Sequence, residues 1–375
     1  MKVLNVIDII SRELGGGTAE RSVQMSYFQN QAGIECSILT INKGIDDTLI
    51  EYLDGVEIVA LPYISNRFHI PIPMIGTIAR LVRGVDVVHL INNWSVLNVF
   101  VYLCIKLFNK PYVICPAGAL EKFGRSIHLK SFYNWIVGRS IVKGASRCVA
   151  ITQDEVIQFS QYDVSPENVV VIPNGVVNDT SLPTREDDFR IKHGLSTKPY
   201  ILFMGRLNSI KGPDLLIDAF CRWQKEESSS YQLVMAGADD GLLLDLQNKV
   251  DSANLNDVIH FIGFLSGEEK RQAYSSADLL VIPSRSEAMS IVVLEAGVLG
   301  TPMLATDKCG LNDFAELKCG WICSASTEGI YTGLAEFSKA DDKILRGQNL
   351  KTYILDNYDW PKLISKYNEL YQTIT

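Results

Sequence analysis

Long apolar runs are missing from this 375-residue chain. The longest, residues 96–108, is interrupted by Asn98 and Lys106 and is too short to span a bilayer. The first run, residues 3–7, meets Asp8 at once, so no secretory leader is expected and a cytoplasmic location is. Histidine is scarce, at five residues, and no Asp-x-Asp pair occurs, which removes a common bridge between a divalent cation and a diphosphate. The eight cysteines include no C-x2-C pair. Most stand alone in apolar runs, as buried thiols do, and the cluster Cys309, Cys319 and Cys323 has no histidine neighbour for structural zinc. A basic excess is lacking too: the net charge of −8 argues against a dedicated nucleic-acid binder.

What the chain does have is alternation. Short β-branched runs at 3–9, 35–41, 56–61, 85–90, 112–115, 147–151 and 169–172 alternate with helical patterns such as 18–32 and 129–142. That order predicts α/β architecture, with parallel sheets covered by helices. The pattern lapses over 177–199, where Asp, Thr, Ser, Pro and Arg replace apolar periodicity. It restarts at 200–204, 232–236, 258–261, 279–282 and 302–305. One core rarely serves so long a chain. Two doubly wound, Rossmann-like domains are therefore expected, over 1–178 and 179–355, followed by a terminal helix over 356–375 with Pro361 in its first turn.

Three segments carry chemistry. Leu14-Gly15-Gly16-Gly17-Thr18 follows the first strand, and its glycines let backbone approach a ligand at a helix N-terminus. It is neither G-x-G-x-x-G nor a P-loop, so a nicotinamide or flavin cofactor is poorly supported. Gly205-Arg206 closes a strand and Lys211-Gly212-Pro213 opens the next helix. Ligands of doubly wound sheets sit at such strand ends, where an Arg and a Lys can grip phosphate. Ser284-Arg285-Ser286-Glu287-Ala288-Met289-Ser290 leads from a strand into an apolar helix, whose free N–H groups near Met289, Ser290 and Ile291 favour an anion. Glu287 and Glu295 are eight positions apart, so on a continuous helix they would lie ~80° apart and ~12 Å along the axis. Glu295 stands among Val, Leu, Ala and Gly and is costly to bury alone; a ribose diol or a structural ion pair would relieve it. Cations for a diphosphate together with carboxylates for hydroxyls describe a nucleotide-sugar site.

Gly-Arg…Lys-Gly, the Glu287/Glu295 pair, the glycine-rich first loop, Asn174-Gly175-Val176 and the Trp-led terminal helix together resemble the family-4 retaining glycosyltransferases of GT-B fold. The resemblance runs over essentially the whole chain. It implies two Rossmann-like domains facing a central cleft, with the C-terminal helix crossing back to the N-terminal domain. It implies that Arg206 and Lys211 hold the donor diphosphate, that Glu295 holds the ribose, and that Glu287 contacts the transferred sugar or orients its loop. Gly16, Gly17, Phe264, Met289, Ser290 and Ile291 would complete the donor site, and Arg206, Lys211 and Glu287 would carry catalysis. The acceptor would bind the first domain. There the family often has a His where this chain has Ala117, in Cys115-Pro116-Ala117-Gly118-Ala119; Asn92, Glu121, Arg125 and His128 are the other acceptor-side candidates. A second departure is Ala288-Met289-Ser290, where Gly-Phe-Gly is common.

The expected activity is transfer of a hexose-type sugar from a UDP- or GDP-sugar to a glycan or lipid-linked acceptor, with retention of configuration, in bacterial cell-surface polysaccharide, lipopolysaccharide or glycolipid synthesis. No metal or other cofactor is expected. Residues 122–153 contain six bases and no acid, interleaved with Phe123, Ile127, Leu129, Phe132, Tyr133, Trp135 and Ile136. This suits an anionic membrane surface on the inner face of the cell membrane, or equally a helix packed on its own sheet with a solvated basic face. Two other readings stay open: a nucleotide-sugar epimerase, which the poverty of His disfavours, and a non-catalytic nucleotide-sugar binding protein, suggested by Ala117.

Overall fold

Strand runs that are mostly apolar, without alternation, imply burial on both faces, and the central strands of both sheets are buried at nearly every position. A computed structural model describes residues 1–65, 69–121, 127–178, 186–195 and 197–375. The first sheet contains β1 (Lys2–Val6), β2 (Glu35–Ile41), β3 (Glu57–Leu61), β4 (Val87–Ile91), β5 (Tyr112–Cys115), β6 (Arg147–Ala150) and β7 (Val169–Val171). All are parallel, in the order β3-β2-β1-β4-β5-β6-β7. The second contains β8 (Tyr200–Met204), β9 (Gln232–Ala236), β10 (Ile259–Gly263), β11 (Leu279–Ile282), β12 (Met303–Thr306) and β13 (Gly320–Cys323), parallel in the order β10-β9-β8-β11-β12-β13. Strand β13 was not anticipated; it is a four-residue edge strand opening on glycine, too short for a periodic signal.

The chain divides into two compact units, Met1–Gly175 with Trp360–Thr375, and Val176–Asp359. Each has its own core. Leu4, Val88, Leu90, Ile114 and Phe159 lie at the centre of the first, and Phe203, Phe220, Trp223 and Met235 at the centre of the second. The terminal helix is Trp360–Gln372, starting later than 356 because another helix, Lys343–Asn357, runs up to it. Trp360, Tyr367 and Tyr371 are buried within the first unit. Gly175 allows this: a Cβ there would stand 2.5 Å from the Trp360 ring. Arg21 of the helix Arg12–Gln31 is buried and donates to Asn174 Oδ1 (2.7 Å), to the Ile172 carbonyl (3.0 Å) and to the Tyr367 hydroxyl.

The polar stretch at 177–199 is not all linker. It holds a short helix, Glu186–Lys192, whose Phe189 is buried against His193 and Tyr200. Among the described residues no helix is long and apolar enough to cross a membrane.

Candidate functional site

In the second sheet the strand order reverses between β8 and β11, the position where open parallel sheets leave a crevice at their carboxyl ends. The loops after these two strands carry Arg206, Lys211 and Glu287, and the structure brings the last two together. Lys211 Nζ donates to Glu287 Oε1 at 2.6 Å, and Ser284 Oγ donates to Oε2 at 3.0 Å. The loops are cross-braced: Arg285 forms a bidentate pair with Asp214 (2.8 and 2.6 Å), and its backbone N–H reaches the Ile210 carbonyl (2.8 Å). Gly212 makes the approach possible. Its φ is +67°, and a Cβ would lie 2.1 Å from the Pro283 carbonyl oxygen. Arg206 is held loosely, half-exposed and 3.6 Å from Asp240.

The helix after β11 is Ile291–Val298, so Glu287 lies in the loop before it and the angular relation expected of a continuous helix does not apply. The excursion follows from Glu287's backbone N–H donating to the Lys308 carbonyl (2.8 Å), which holds this stretch in loop form. Ser290 stands at the N-cap but makes no capping bond; its Oγ is fully buried with no partner among the described residues. The first turn is thus left without a side-chain cap, as suits a site that receives an anion. Glu295, in the helix, does have protein partners: Lys270 Nζ at 2.7 Å and the Tyr274 hydroxyl at 2.8 Å, both from the helix Gly267–Ser275. The structural ion pair weighed from sequence is therefore present. Two partners leave lone pairs free on a carboxylate, so hydroxyl binding remains open to it. Phe264 follows β10 beside Gly263 (φ +76°) and is exposed.

In the first unit, Gly15–Gly17 lie inside the helical segment Arg12–Gln31 and not in a loop ahead of it. Gly16, at φ +59° and ψ −147°, breaks that segment in two, so the uninterrupted helix begins close to the expected Thr18. Asn92 and Ala117 sit at the ends of adjacent strands β4 and β5, both with left-handed backbone (φ +71° and +52°), and Asn92 N–H donates to the Cys115 carbonyl at 2.9 Å. Such conformations in non-glycine residues concentrate at functional sites. Glu121 and His128 are exposed, and Arg125 lies outside the described residues. His89, the one histidine at a site-like strand end, is fully buried. Its Nδ1 meets the Tyr371 hydroxyl at 2.8 Å, and burial with the Arg21 charge lowers its pKa to about 3.

Sequence reasoning missed two carboxylates here. Glu155 is buried and accepts from Gly118 N–H (2.6 Å) and Ile151 N–H (2.7 Å), bracing the Ala117 turn. Asp8 lies just beyond β1 and accepts from Ser95 Oγ at 2.6 Å. Asp8 had no local signal, because its partner is 87 positions away; Glu155 stands at the Thr-x-x-Glu spacing that opens the helix Gln153–Ser160, and only its Gly118 partner is distant in sequence.

The acid-free stretch forms the helix Ile127–Tyr133, a π-turn Asn134–Gly138 and the helix Arg139–Lys143. Ile127, Leu129, Phe132 and Ile136 are exposed, and Trp135 is 81% exposed. The neighbouring helix Val96–Phe108 adds exposed Leu103 and Leu107, joined through Tyr102 OH to the Ser140 carbonyl (3.3 Å). Arg139 and Lys143 share Asp163 at 3.0 and 3.4 Å; Lys122 lies outside the described residues.

Comparison with known proteins matches residues 15–179 to the family described as Glycosyltransferase Family 4 and residues 185–343 to Glycosyl transferases group 1. A D-inositol 3-phosphate glycosyltransferase of Geodermatophilus obscurus is 31% identical over 180 residues, which span 46% of this chain and 40% of that protein. The match thus covers less than half of the relative's length. Among solved structures, Anabaena HepE in complex with UDP and glucose superposes with a TM-score of 0.82 at 17% identity over 99% of both chains. WaaG, a glycosyltransferase involved in lipopolysaccharide biosynthesis, gives 0.70 at 18% identity over 100% of this chain and 99% of its own. At these identities the likeness is one of fold: two parallel-sheet α/β units, as in the GT-B class.

Proposed function

The chain belongs to the family-4 glycosyltransferases, and from that premise we propose that it transfers a hexose-type sugar from a UDP- or GDP-sugar to a glycan or lipid-linked acceptor with retention of configuration. The observation that carries this reading is the Lys211–Glu287 pair beside the uncapped turn at Ser290, at the switch point of the second sheet. Lys211, Arg206 and the first-turn amides are the donors for the diphosphate. Negative charge grows on the departing phosphate as the glycosidic bond breaks, so these fixed donors stabilise the transition state more than the ground state. Glu295, oriented by Lys270 and Tyr274, takes the ribose hydroxyls. Glu287 takes a hydroxyl of the transferred sugar, with Lys211 shared between it and the phosphate. Cys309, behind this loop, is buried with its thiol pushed up to about 12, and it supplies no nucleophile.

The leaving phosphate accepts the acceptor's proton in this scheme, and no step calls on a metal. The exposed apolar residues around Trp135, set among bases, suit attachment to an anionic membrane, where lipid-linked acceptors for cell-surface polysaccharide reside. His89 has no exposed ring nitrogen, so it offers an epimerase no acid or base.

A thermal-shift panel of UDP, GDP and ADP with their sugars, followed by turnover with and without EDTA, tests the proposal. One nucleotide series should raise Tm and turnover should survive EDTA. No shift with any nucleotide would end the donor assignment, and an absolute need for Mn²⁺ or Mg²⁺ would end the metal-free scheme.

A further inference from the structure

The first sheet has a switch point of its own, between β1 and β4, and the residues just beyond these strands are Asp8 and the turn Asn92-Asn93-Trp94-Ser95. Asp8 is only partly buried. One carboxylate oxygen accepts from Ser95 Oγ at 2.6 Å; among the described residues the other has no partner, and no cation pairs with the group. Ser95 is fixed in turn: it caps the helix Val96–Phe108 by accepting from Asn98 N–H (3.0 Å), and its carbonyl accepts from the Tyr133 hydroxyl (3.0 Å). A capping role alone would need Ser95 and not the carboxylate behind it. The same turn concentrates unmet polar groups. Among the described residues Asn93 Oδ1, Trp94 Nε1 and Asn98 Oδ1 are buried atoms without a hydrogen-bond partner, Asn93 and Asn98 being each 1% exposed, and Asn92 is held at φ +71°. Unpaired buried acceptors and a strained turn around a preoriented carboxylate are features of a site awaiting a polar ligand.

We propose that Asp8 is the acceptor-binding carboxylate of the first unit, taking a hydrogen bond from a hydroxyl of a polyhydroxylated acceptor while Ser95 holds it in place. The proposal rests on the glycosyl-transfer reading above. A carboxylate without a cation suits a neutral sugar or cyclitol face, because only acceptor lone pairs remain on it. Burial raises the Asp8 pKa to about 6, against the Ser95 hydrogen bond that lowers it. Among the described residues the ionisable group it acts upon is Tyr133, whose phenol is held well above its ordinary range and stays neutral. Acceptor binding therefore belongs to the ionised form and strengthens as pH rises through about 6.

The test measures release of UDP from UDP-glucose and of GDP from GDP-mannose. The acceptor probes are methyl glycosides of glucose, galactose and mannose, and free myo-inositol; nucleotide binding is followed separately by thermal shift. The expected result is that Asp8→Asn raises the apparent KM of an active probe about tenfold or more, the effect of losing a charge-assisted hydrogen bond. The nucleotide shift should stay unchanged, and the rise of kcat/KM through pH 6 should vanish. Ser95→Ala keeps the carboxylate and removes a donor that lowers its pKa, so the rise should move to higher pH; this readout survives if Asp8→Asn folds poorly. An unchanged probe KM and pH profile in Asp8→Asn overturns the proposal. So does a parent enzyme that binds nucleotide but responds to none of the probes. Absence of any nucleotide shift overturns the glycosyl-transfer reading itself, and the acceptor site falls with it.

Discussion

Replacing Lys211 with methionine keeps the apolar stem and removes the charge that the proposed chemistry depends on most. The side chains of Lys211 and Glu287 are 26% and 13% exposed and 2.6 Å apart, so the pair stands between an exposed one, worth at most about 1 kcal/mol, and a buried one, whose breaking costs about 3–5 kcal/mol. Glu287 keeps Ser284 as a donor, so a stability loss of about 2 kcal/mol is expected, intermediate between those limits. Activity should fall much further. One strong preorganised donor to a developing phosphate charge is worth roughly 3–4 kcal/mol, or about 200- to 900-fold in kcat/KM. The assay is nucleotide release at saturating and subsaturating donor, with Lys211→Met, Glu287→Gln and the double variant compared. If Lys211 serves only to hold Glu287, the double variant equals Glu287→Gln. If Lys211 also meets phosphate, the double variant is worse by most of that factor. A folded Lys211→Met enzyme within about threefold of the parent in both kcat and donor KM would refute the reasoning.

Gly212→Ala should destabilise the second unit by roughly 3 kcal/mol, since the added Cβ meets the Pro283 oxygen at 2.1 Å on a backbone with φ +67°; a loss under about 1 kcal/mol in urea melts would contradict this. His89, held at about 3 against an ordinary value of 6.5, takes its proton first in the unfolded chain. Its contribution is therefore complete above about pH 6.5 and is lost as pH falls toward 3, with a slope approaching ~1.4 kcal/mol per unit. Asp8, held up to about 6, acts with opposite sign between about 4 and 6, so the test compares His89→Gln with the parent between pH 7 and 5. Equal losses would dismiss the effect. Trp135→Glu with Leu107→Glu should abolish co-sedimentation with anionic liposomes at low salt while leaving nucleotide binding intact; a parent protein that ignores such liposomes removes the membrane proposal.

Sheet strands were the most legible feature of the sequence because a two-face-buried strand is a local signal. The runs at 35–41, 112–115, 200–204, 232–236 and 279–282 coincide with β2, β5, β8, β9 and β11, whereas β13, short and at an edge, left no periodic trace. Helix limits were less legible. Gly16 does not end the helical segment but kinks it, and Glu186–Lys192 folds in a polar stretch because Phe189 finds a hydrophobic partner in Tyr200. The residues proposed for the donor side were readable as types at strand ends, but not their partners. Lys270 is 25 positions from Glu295, and only the packing of Gly267–Ser275 against the helix Ile291–Val298 makes them neighbours. Asp8 illustrates the same limit: it reads in sequence as the residue that stops an apolar run, and acquires a possible chemistry only once Ser95, 87 positions away, is placed beside it.

Both carboxylates of the eight-residue pair thus meet a lysine, but the two couples differ in what a ligand would ask of them. Lys270 and Tyr274, both from the helix Gly267–Ser275, use only part of the acceptor capacity of the Glu295 oxygens, so ribose hydroxyls can add to the couple without breaking it. Among the described residues Lys211 pairs with one anion, Glu287, and a diphosphate entering beside Ser290 would compete for the same ammonium. The three ammonium hydrogens allow it to serve both, provided the phosphate arrives within hydrogen-bond reach of the existing pair. Sharing draws the lysine's charge away from Glu287 as the phosphate becomes more anionic, leaving that carboxylate free to accept more strongly from a sugar hydroxyl. The couple at Glu287 would therefore respond to bond breaking while the couple at Glu295 stays fixed, which is why substitutions at Lys211 and Glu287 should depress kcat and those at Lys270 and Glu295 should act on donor KM.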